Sequence, residues 1–318
     1  MPVEFLAVGE PSDDLLGQIS ALAPENPFYT SSYVKSVSTR HASPFALLLE
    51  SEGVVTAACT AFLKTGRLNR RLEITSLPVL PQGTEFWDGL VKFCRESDIS
   101  VLNVETFGSP ETVIPPIAGE TLRTSRYEYQ LDLTEMDLWS GLNRRNRRGV
   151  KKAIEAGLDL RGVNGTESCR THVEIANSSL RRRRRRGENI EYEILEADAI
   201  AFIENGAGDI YQVFLGDEIL SSMLLLKSAS GAYAQTSGTR DAGLEYGASQ
   251  FLWYETAKLL QNESIRVLNM GGTDIDSRGL QEFKAGFGAK RFELESAEFY
   301  LGGSIRKAIG SFIERLRQ

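Results

Sequence analysis

The sequence predicts an α/β (α+β) protein of two tandem halves, each a mixed twisted sheet flanked by helices. Three observations lead there: a length that suits two domains, an internal repeat, and the same run of strands ahead of each copy of that repeat. The chain has 318 residues, 42% hydrophobic and 25% charged, an ordinary globular composition for two domains of roughly 150 residues each.

The repeat carries most of the weight. Residues 87–103 read WDGLVKFCRESDISVLN and residues 253–269 read WYETAKLLQNESIRVLN. At the constant offset that separates Trp87 from Trp253, the copies also share Lys92/Lys258, Ile99/Ile265, Val101/Val267, Leu102/Leu268 and Asn103/Asn269. These six identities in 17 ungapped positions compare with roughly one expected from average residue usage. The pattern is a helix followed by a buried strand, so the strands at 99–104 and 265–270 are expected in equivalent places.

Each copy follows three short apolar runs separated by turn residues. Before the first stand FALLLE, the turn Ser51-Glu52-Gly53, VVTAACTAFLK, a turn at Gly66 and RLEITSL. Before the second stand DIYQVFLG, the turn Gly216-Asp217-Glu218, ILSSMLLLK, a Ser-Gly turn and AYAQTS. Both read as meandering strands. Between the halves, Thr134 and Asp137 suggest a capping box, and Leu138, Leu142, Val150 and Ile154 recur at helical spacing until Gly157. A second helix shows Val173, Ala176 and Leu180 on one face, with Gly187 as its stop. After the second copy come GGTD, a short helix around 278–285, two strands (KRFELES and AEFYL) and a C-terminal helix from Ser304. The expected boundary divides the chain into 1–130 and 131–318.

Composition excludes several chemistries. Cys59, Cys94 and Cys169 are scattered and odd in number, which argues against a disulfide framework and for a reducing compartment. With only His41 and His172 in the chain, a histidine-based metal site or a Ser-His-Asp triad lacks local support. No GxGxxG or GxxxxGK[ST] phosphate loop occurs. No run reaches the roughly 18 apolar residues of a membrane span, and the first residues lack a basic segment followed by an apolar core, so a cytoplasmic location is expected. The net charge is −7, yet RRNRRGVKK (144–152) and six consecutive arginines (181–186) hold 12 of the 36 basic residues, leaving −19 on the remainder. Two concentrated cationic patches suit a localised anionic partner.

Three segments resemble a known family. VLNMGGTDIDSRGLQEFKAGFG (267–288) is similar to a strand, glycine pair and FK-x-GFG signature of the GNAT acyltransferase superfamily, specifically its Fem-type branch of aminoacyl-tRNA-dependent peptidyl transferases and their acetyltransferase-like relatives. WSGLNRRNRRGVKKAIEAGLDL (139–160) resembles that branch's arginine-rich helix, and NPFYTSSYVKSV (26–37) its N-terminal segment. The resemblance implies two tandem GNAT-like domains. The first half is then a degenerate, acceptor-binding domain and the second carries the transferase site. Two positions depart from ordinary GNAT enzymes. Glu282 stands where a tyrosine often protonates the departing thiolate, and RDAGLE (240–245) places Glu245 in the expected pyrophosphate loop, where a carboxylate repels phosphate.

Candidate site residues follow from both lines. Lys284, between Phe283 and Phe287 and after a Gly-Gly strand end, is the leading catalytic candidate, because a desolvated lysine calls for a nearby anion; Glu282 is the second. Asn146 falls on an otherwise apolar stripe, so it either faces a polar cleft or marks a half-buried helix. Its neighbours Arg144, Arg145, Arg147 and Arg148 are candidate anion contacts. Within the second arginine run, continuation of the stripe from Leu180 points Arg183 and Arg184 inward. The resemblance implies Arg182, Arg184 and Tyr192 as contacts to a nucleotide or lipid pyrophosphate, and Lys35 to the same part of the acceptor. Gly271 and Gly272 suit close backbone approach to a ligand, and Tyr233 a place in the cleft or in the core.

The expected activity is transfer of an acyl or aminoacyl group onto a primary amine, with no tightly bound cofactor and with aminoacyl-tRNA or acyl-CoA as donor substrate. The acceptor is an anionic small molecule or is nucleotide- or lipid-linked, and tRNA is a candidate partner. Acyl-CoA-dependent N-acetyltransfer on the same fold is one alternative. A non-catalytic module holding RNA or anionic lipid in a degenerate cleft is another.

Overall fold

The computed structural model describes residues 3–38, 42–66, 69–134, 137–188, 190 and 192–302. His41 and the helix expected from Ser304 lie outside them. In chain order the elements are β1 (Val3–Gly9), α1 (Asp13–Leu22), a 3-10 turn (Pro27–Tyr29), α2 (Ser31–Ser38), β2 (Ala42–Ser51), β3 (Val54–Thr65), β4 (Arg70–Ile74), α3 (Glu85–Glu96), β5 (Val101–Glu105), β6 (Glu120–Asp132), α4 (Leu138–Gly141), α5 (Arg144–Glu155), β7 (Asp159–Val163), α6 (Thr166–Arg185), α7 (Glu196–Glu204), β8 (Gly208–Leu215), β9 (Glu218–Lys227), β10 (Gly231–Thr239), α8 (Asp241–Tyr246), α9 (Ala248–Asn262), β11 (Val267–Thr273), α10 (Arg278–Ala285) and β12 (Lys290–Tyr300).

The chain forms two compact units. The first takes the residues up to Ala23, Val37–Arg126 and the chain from Glu293; the second takes Pro24–Ser36 and Tyr127–Phe292. The longest stretches of the two units adjoin between Arg126 and Tyr127. Two segments do not follow that linear split: 24–36 joins the second unit, and the residues from Glu293 rejoin the first.

In the first unit β1 to β4 form an antiparallel meander, with Phe5 opposite Leu49, Phe45 opposite Ala61 and Leu63 opposite Leu72. The β2–β3 turn has Glu52 at φ 54° and Gly53 at φ 78°, the left-handed pair that a two-residue hairpin requires. β5 lies parallel to β4, Leu72 opposite Leu102, and antiparallel to β12, Val104 opposite Ala297. Leu47, Leu49, Phe62, Leu72, Ile74, Leu90 and Leu102 are all buried.

The second unit repeats this plan. β7 to β10 are antiparallel neighbours, β11 lies parallel to β10 with Ala232 opposite Leu268, and β6 pairs antiparallel with β11, Leu131 opposite Leu268. The repeat is visible at single bonds. α3 ends with the Ile99 amide donating to the Cys94 carbonyl (2.8 Å), and α9 ends with Ile265 donating to Leu260 (3.0 Å). Asp98 and Ser264 both take positive φ, 55° and 63°, the left-handed residue of a helix-ending turn. Both strands therefore take the same place in the sheet of their unit, and Trp87 and Trp253 are both buried. The strand next to each repeated strand is exchanged in sequence. β6, which follows the first copy, pairs with β11, and β12, which follows the second, pairs with β5.

Helices α4, α5 and α9 cover one face of the second sheet, burying Leu138, Val150, Phe251, Trp253 and Leu260 against Tyr129, Leu131, Val213 and Leu268. The opposite face carries α6, α7 and residues 24–36, where Tyr33 stacks on Phe202 at 6.0 Å and Phe28 meets Tyr233 edge-on at 4.8 Å. The Ser230 amide donates to the Pro24 carbonyl (2.9 Å). A Cβ on Gly231 would lie 2.0 Å from the Glu25 carbonyl oxygen, so only glycine admits that segment.

Local details correct the reading of the linker helices. The helix expected from 138 to 156 is two. Asp137 caps α4 by accepting from the Trp139 amide, Leu142 leaves the helix, and Asn143 caps α5 by accepting from the Asn146 amide. Thr134 is no cap; its hydroxyl donates to Asp132 (2.6 Å). The restart at Asn143 shifts the buried stripe to Asn146, Val150 and Ala153, so Ile154 is exposed. KRFELES and AEFYL form one strand, β12.

The joint between α8 and α9 is a tight point of the second unit. Gly247 sits at φ 74°, and a Cβ there would lie 2.4 Å from the Gly149 carbonyl oxygen on α5. Gly216 has a similar φ, 60°, in open space. Gly216→Ala should cost only about 1–2 kcal/mol for the left-handed backbone, whereas Gly247→Ala adds a backbone clash and should cost about 3 kcal/mol or more. Denaturant midpoints of the two variants check the difference.

Candidate active site

The site grows from a fault between two parallel strands. β10 and β11 pair only at Gly231–Tyr233 with Val267–Asn269. Beyond that, β10 has a register irregularity between Ala234 and Thr236, and β11 one between Asn269 and Gly272. Gly271 makes the second possible: its φ is 76°, and its amide donates to Asn269 Oδ1 at 2.9 Å. A Cβ there would meet the Ala234 carbonyl oxygen at 3.1 Å, with Tyr233 Oη and Lys284 Nζ at 3.9 and 4.0 Å.

α10 brings Lys284 to this fault. Its Nζ donates to the Gly271 carbonyl (2.7 Å) and the Gly272 carbonyl (2.9 Å), and the residue is only 4% exposed. Burial pushes the Lys284 ammonium down to about 7; the Glu128 carboxylate works against that shift and the Arg183 guanidinium with it. Glu128 stands on β6 opposite Gly272 and is fully buried. Tyr129 and Leu131 point into the core on the α9 side, so strand alternation turns Glu128 to the other face. Tyr233 and Asn269, opposite each other, share that face because their neighbours Ala232, Ala234, Leu268 and Met270 belong to the core cluster.

Of the expected site residues, the structure brings together Lys284, Gly271, Gly272 and Tyr233. Glu282 does not join them; two residues from Lys284 on α10, it lies on the exposed side of the helix. Phe283 and Phe287 meet edge-on at 5.1 Å and pack with the α9-side core, so the partners of Lys284 are backbone carbonyls. Asn146 is neither at a cleft nor half exposed. It is fully buried, its Nδ2 donates to the Phe283 carbonyl (3.0 Å), and its Oδ1 has no hydrogen-bond partner. With the Asn143 amide donating to the Gly286 carbonyl (2.8 Å), it docks the start of α5 on the end of α10.

The arginines divide by role. Arg144, Arg145 and Arg148 are exposed, whereas Arg147 folds back to donate to the Leu142 carbonyl (2.9 Å). On α6 the half-buried pair is Arg182 and Arg183, not Arg183 and Arg184, because the buried stripe runs through Ser179 as well as Leu180. Arg182 bonds Asp241 Oδ1 (2.7 Å) and the Thr239 carbonyl (3.0 Å). Arg183 holds Glu188 through two bonds (2.9 and 2.6 Å), and Glu188 accepts from Ser277 (3.1 Å), just before α10. Exposed Arg184 donates to the Ile190 carbonyl (2.8 Å). Tyr192 and, on α2, Lys35 are exposed. Glu245 is exposed on α8, since residues 241–246 are helical rather than the expected phosphate-binding loop.

Sequence reading missed Glu128 and Asn269. In YEYQLDL the alternation looks like a strand with one wet face, and nothing local shows that both faces are covered. Among the described residues, no group of three or more His, Cys, Asp or Glu side chains could hold a metal ion, and no helix is long and apolar enough to cross a membrane.

Residues 142–285 match the model of the acetyltransferase (GNAT) domain family. The likeness covers less than half of the chain. It runs from the residue before the α5 cap to the last residue of α10, so Lys284, Gly271, Gly272 and Tyr233 all lie inside it, and Glu128 lies ahead of it. Solved structures share the fold over nearly the whole chain. A structure of FemX superposes with a TM-score of 0.68 at 12% identity, covering 92% of this chain and 96% of that one. A tandem GNAT protein from the clavulanic acid biosynthesis pathway gives 0.58 at 13%, covering 95% and 100%. The C-terminal domain of a putative lysylphosphatidylglycerol synthetase from Agrobacterium fabrum gives 0.56 at 13%, covering 92% and 93%. No curated protein gives a sequence match.

Inside the matched segment, His172 on α6 is fully buried between Ser222 Oγ (2.9 Å) and Thr236 Oγ1 (2.7 Å). Burial pushes its imidazolium down to about 4. The unfolded chain then binds more protons than the folded one between about pH 6.5 and 4, and the stability from the neutral ring is lost as pH falls through that window. His172→Gln should flatten the fall in unfolding free energy between pH 6.5 and 4.5, measured by denaturant titration.

Proposed function

We propose that the chain transfers an acyl or aminoacyl group to a primary amine, with Lys284 balancing the charge that develops on the donor. The observation that carries this reading is the buried Lys284 Nζ in a segment that matches the GNAT family, seated where β10 and β11 part. Two of its three protons go to the Gly271 and Gly272 carbonyls, which leaves one for a ligand oxygen. The amine nitrogen attacks the donor carbonyl carbon, the C–N bond forms, the C–O or C–S bond breaks, and the amine proton leaves through a side chain or water. A fixed cation in a dry site stabilises the oxyanion far more than it could in solvent.

The donor is an aminoacyl ester or an acyl thioester bound without a tight cofactor. The name of the lysylphosphatidylglycerol synthetase supports the first, with a lipid-linked or other anionic acceptor, and the acetyltransferase family match supports the second, N-acetyltransfer from acyl-CoA. Exposed Arg144, Arg145 and Arg148 are the anion contacts of this reading. Lys35, Arg184 and Tyr192 serve the acceptor, and Arg182 orders the β10 end. Of these, Lys35 comes from the half expected to bind acceptor, although its segment belongs to the second unit, which catalyses. Three buried free thiols fit a reducing cytoplasm.

Incubation with aminoacyl-tRNA, acyl-CoA and a nucleotide-linked peptide amine tests the reading by product mass. Lys284→Met keeps the apolar stem and should reduce turnover about 10²–10³-fold with folding retained. A folded variant at the wild-type rate would sink the assignment, and binding of any of these ligands without product would favour a binding module. Separately, Arg144→Ala, Arg145→Ala and Arg148→Ala together should weaken binding of the anionic substrate and flatten its salt dependence. An unchanged salt slope in a binding titration would make them a solvated face.

A further inference from the structure

Three other elements bear on Lys284: the Glu128 carboxylate on β6 and the Arg183 guanidinium on α6 through their charge, and Tyr233 on β10, whose hydroxyl borders the same Gly271. On its own helix Glu282 is exposed. Of these, Glu128 is the one anion, and the backbone fixes its place. Its Cα is paired with Gly272, whose carbonyl accepts from Lys284 Nζ. Glu128 sits on the sheet face away from the α9-side core, and both Glu128 and Lys284 are removed from water. A carboxylate buried at this depth on a strand is expensive without a cation near it. An ammonium likewise cannot keep its proton there on two neutral carbonyls alone.

We propose that Glu128 is the counter-charge that keeps Lys284 an ammonium in the site. It is a positioning residue, acting through Lys284 without meeting substrate. The inference rests on the transfer reading for its consequence, not for its physics. Arg183 opposes Glu128, but its charge is engaged by Glu188 through two hydrogen bonds. Tyr233 adds a neutral hydroxyl. Removing the Glu128 charge therefore leaves Lys284 facing burial and a residual cation, and its proton is lost at lower pH. If transfer needs the charged form, turnover falls as pH rises through the Lys284 midpoint, and that basic limb moves toward acid in Glu128→Gln, in kcat more than in KM.

The direct test is ¹⁵N-lysine NMR on the whole chain, with the Lys284 Nζ signal assigned by its loss in Lys284→Met. The Lys284 midpoint should fall by about one pH unit or more in Glu128→Gln, the order expected for loss of one opposite charge in a buried site, and Glu128→Asp should restore part of it. The same midpoint in wild type and a folded Glu128→Gln overturns the proposal. Should Glu128→Gln fail to fold, the coupling is read from the other side, because linkage is reciprocal. The Glu128 carboxyl midpoint, followed by ¹³C NMR, should rise in Lys284→Met, and no change overturns the proposal equally. Coupling without transfer activity removes the functional reading and leaves the pair, whereas activity without coupling removes the pair alone.

Discussion

One left-handed glycine governs the second unit. Because Gly271 adopts φ 76°, β11 slips against β6 and two successive carbonyls become available to the same ammonium. In regular parallel strands those carbonyls point to opposite sides and belong to the ladder. The slip ends the pairing with β10, opens the wedge between the strands and gives Lys284 acceptors in one place. Asn269 holds the distortion by accepting from the Gly271 amide, so the strain is supported from within the strand.

The surroundings hold that arrangement still. α10 is tied at its start through Ser277, Glu188 and Arg183, and at its end through Asn143, Asn146 and the Gly286 carbonyl. A Cβ on Gly286 would lie 2.3 Å from Asn143 Nδ2, so glycine there leaves room for the asparagine side chains that join α5 to α10. The arginine-rich helices thus have an inner task as well as an outer one. Arg147, Arg182 and Arg183 stitch carbonyls and carboxylates, while Arg144, Arg145 and Arg148 keep their charge toward solvent.

The architecture was legible because the repeat, the turn residues and the strand composition agree at each level. The shared Ile99/Ile265 and Asn103/Asn269 mark the same helix end and the same strand. Lys284, Gly271 and Gly272 were legible because a lysine between phenylalanines and a glycine pair at a strand end break local rules. Other features were hidden for physical reasons. The Asn143 cap resets the phase of α5, which misplaced Ile154. A polar Ser179 on the α6 stripe moved the inward arginines by one position. Glu128 was invisible because alternation reports which residues share a face, not whether that face is wet. Glu282 was placed by resemblance alone, and the turn of α10 carries it to the solvent.

The exchange of β6 and β12 has a consequence for synthesis. A ribosome releases the first unit's β1 to β5 early, but the strand that flanks β5 comes 191 to 199 residues later, as the pairings of Glu105 with Ser296 and Val101 with Tyr300 show. Closing so long a loop is entropically slow to nucleate. The edge of β5 therefore stays open while the second unit is being made, and an open strand edge is a template for other chains. The second unit has no such wait, since β6 already precedes it. It should be the part that matures first, with the N-terminal half completed only when β12 arrives.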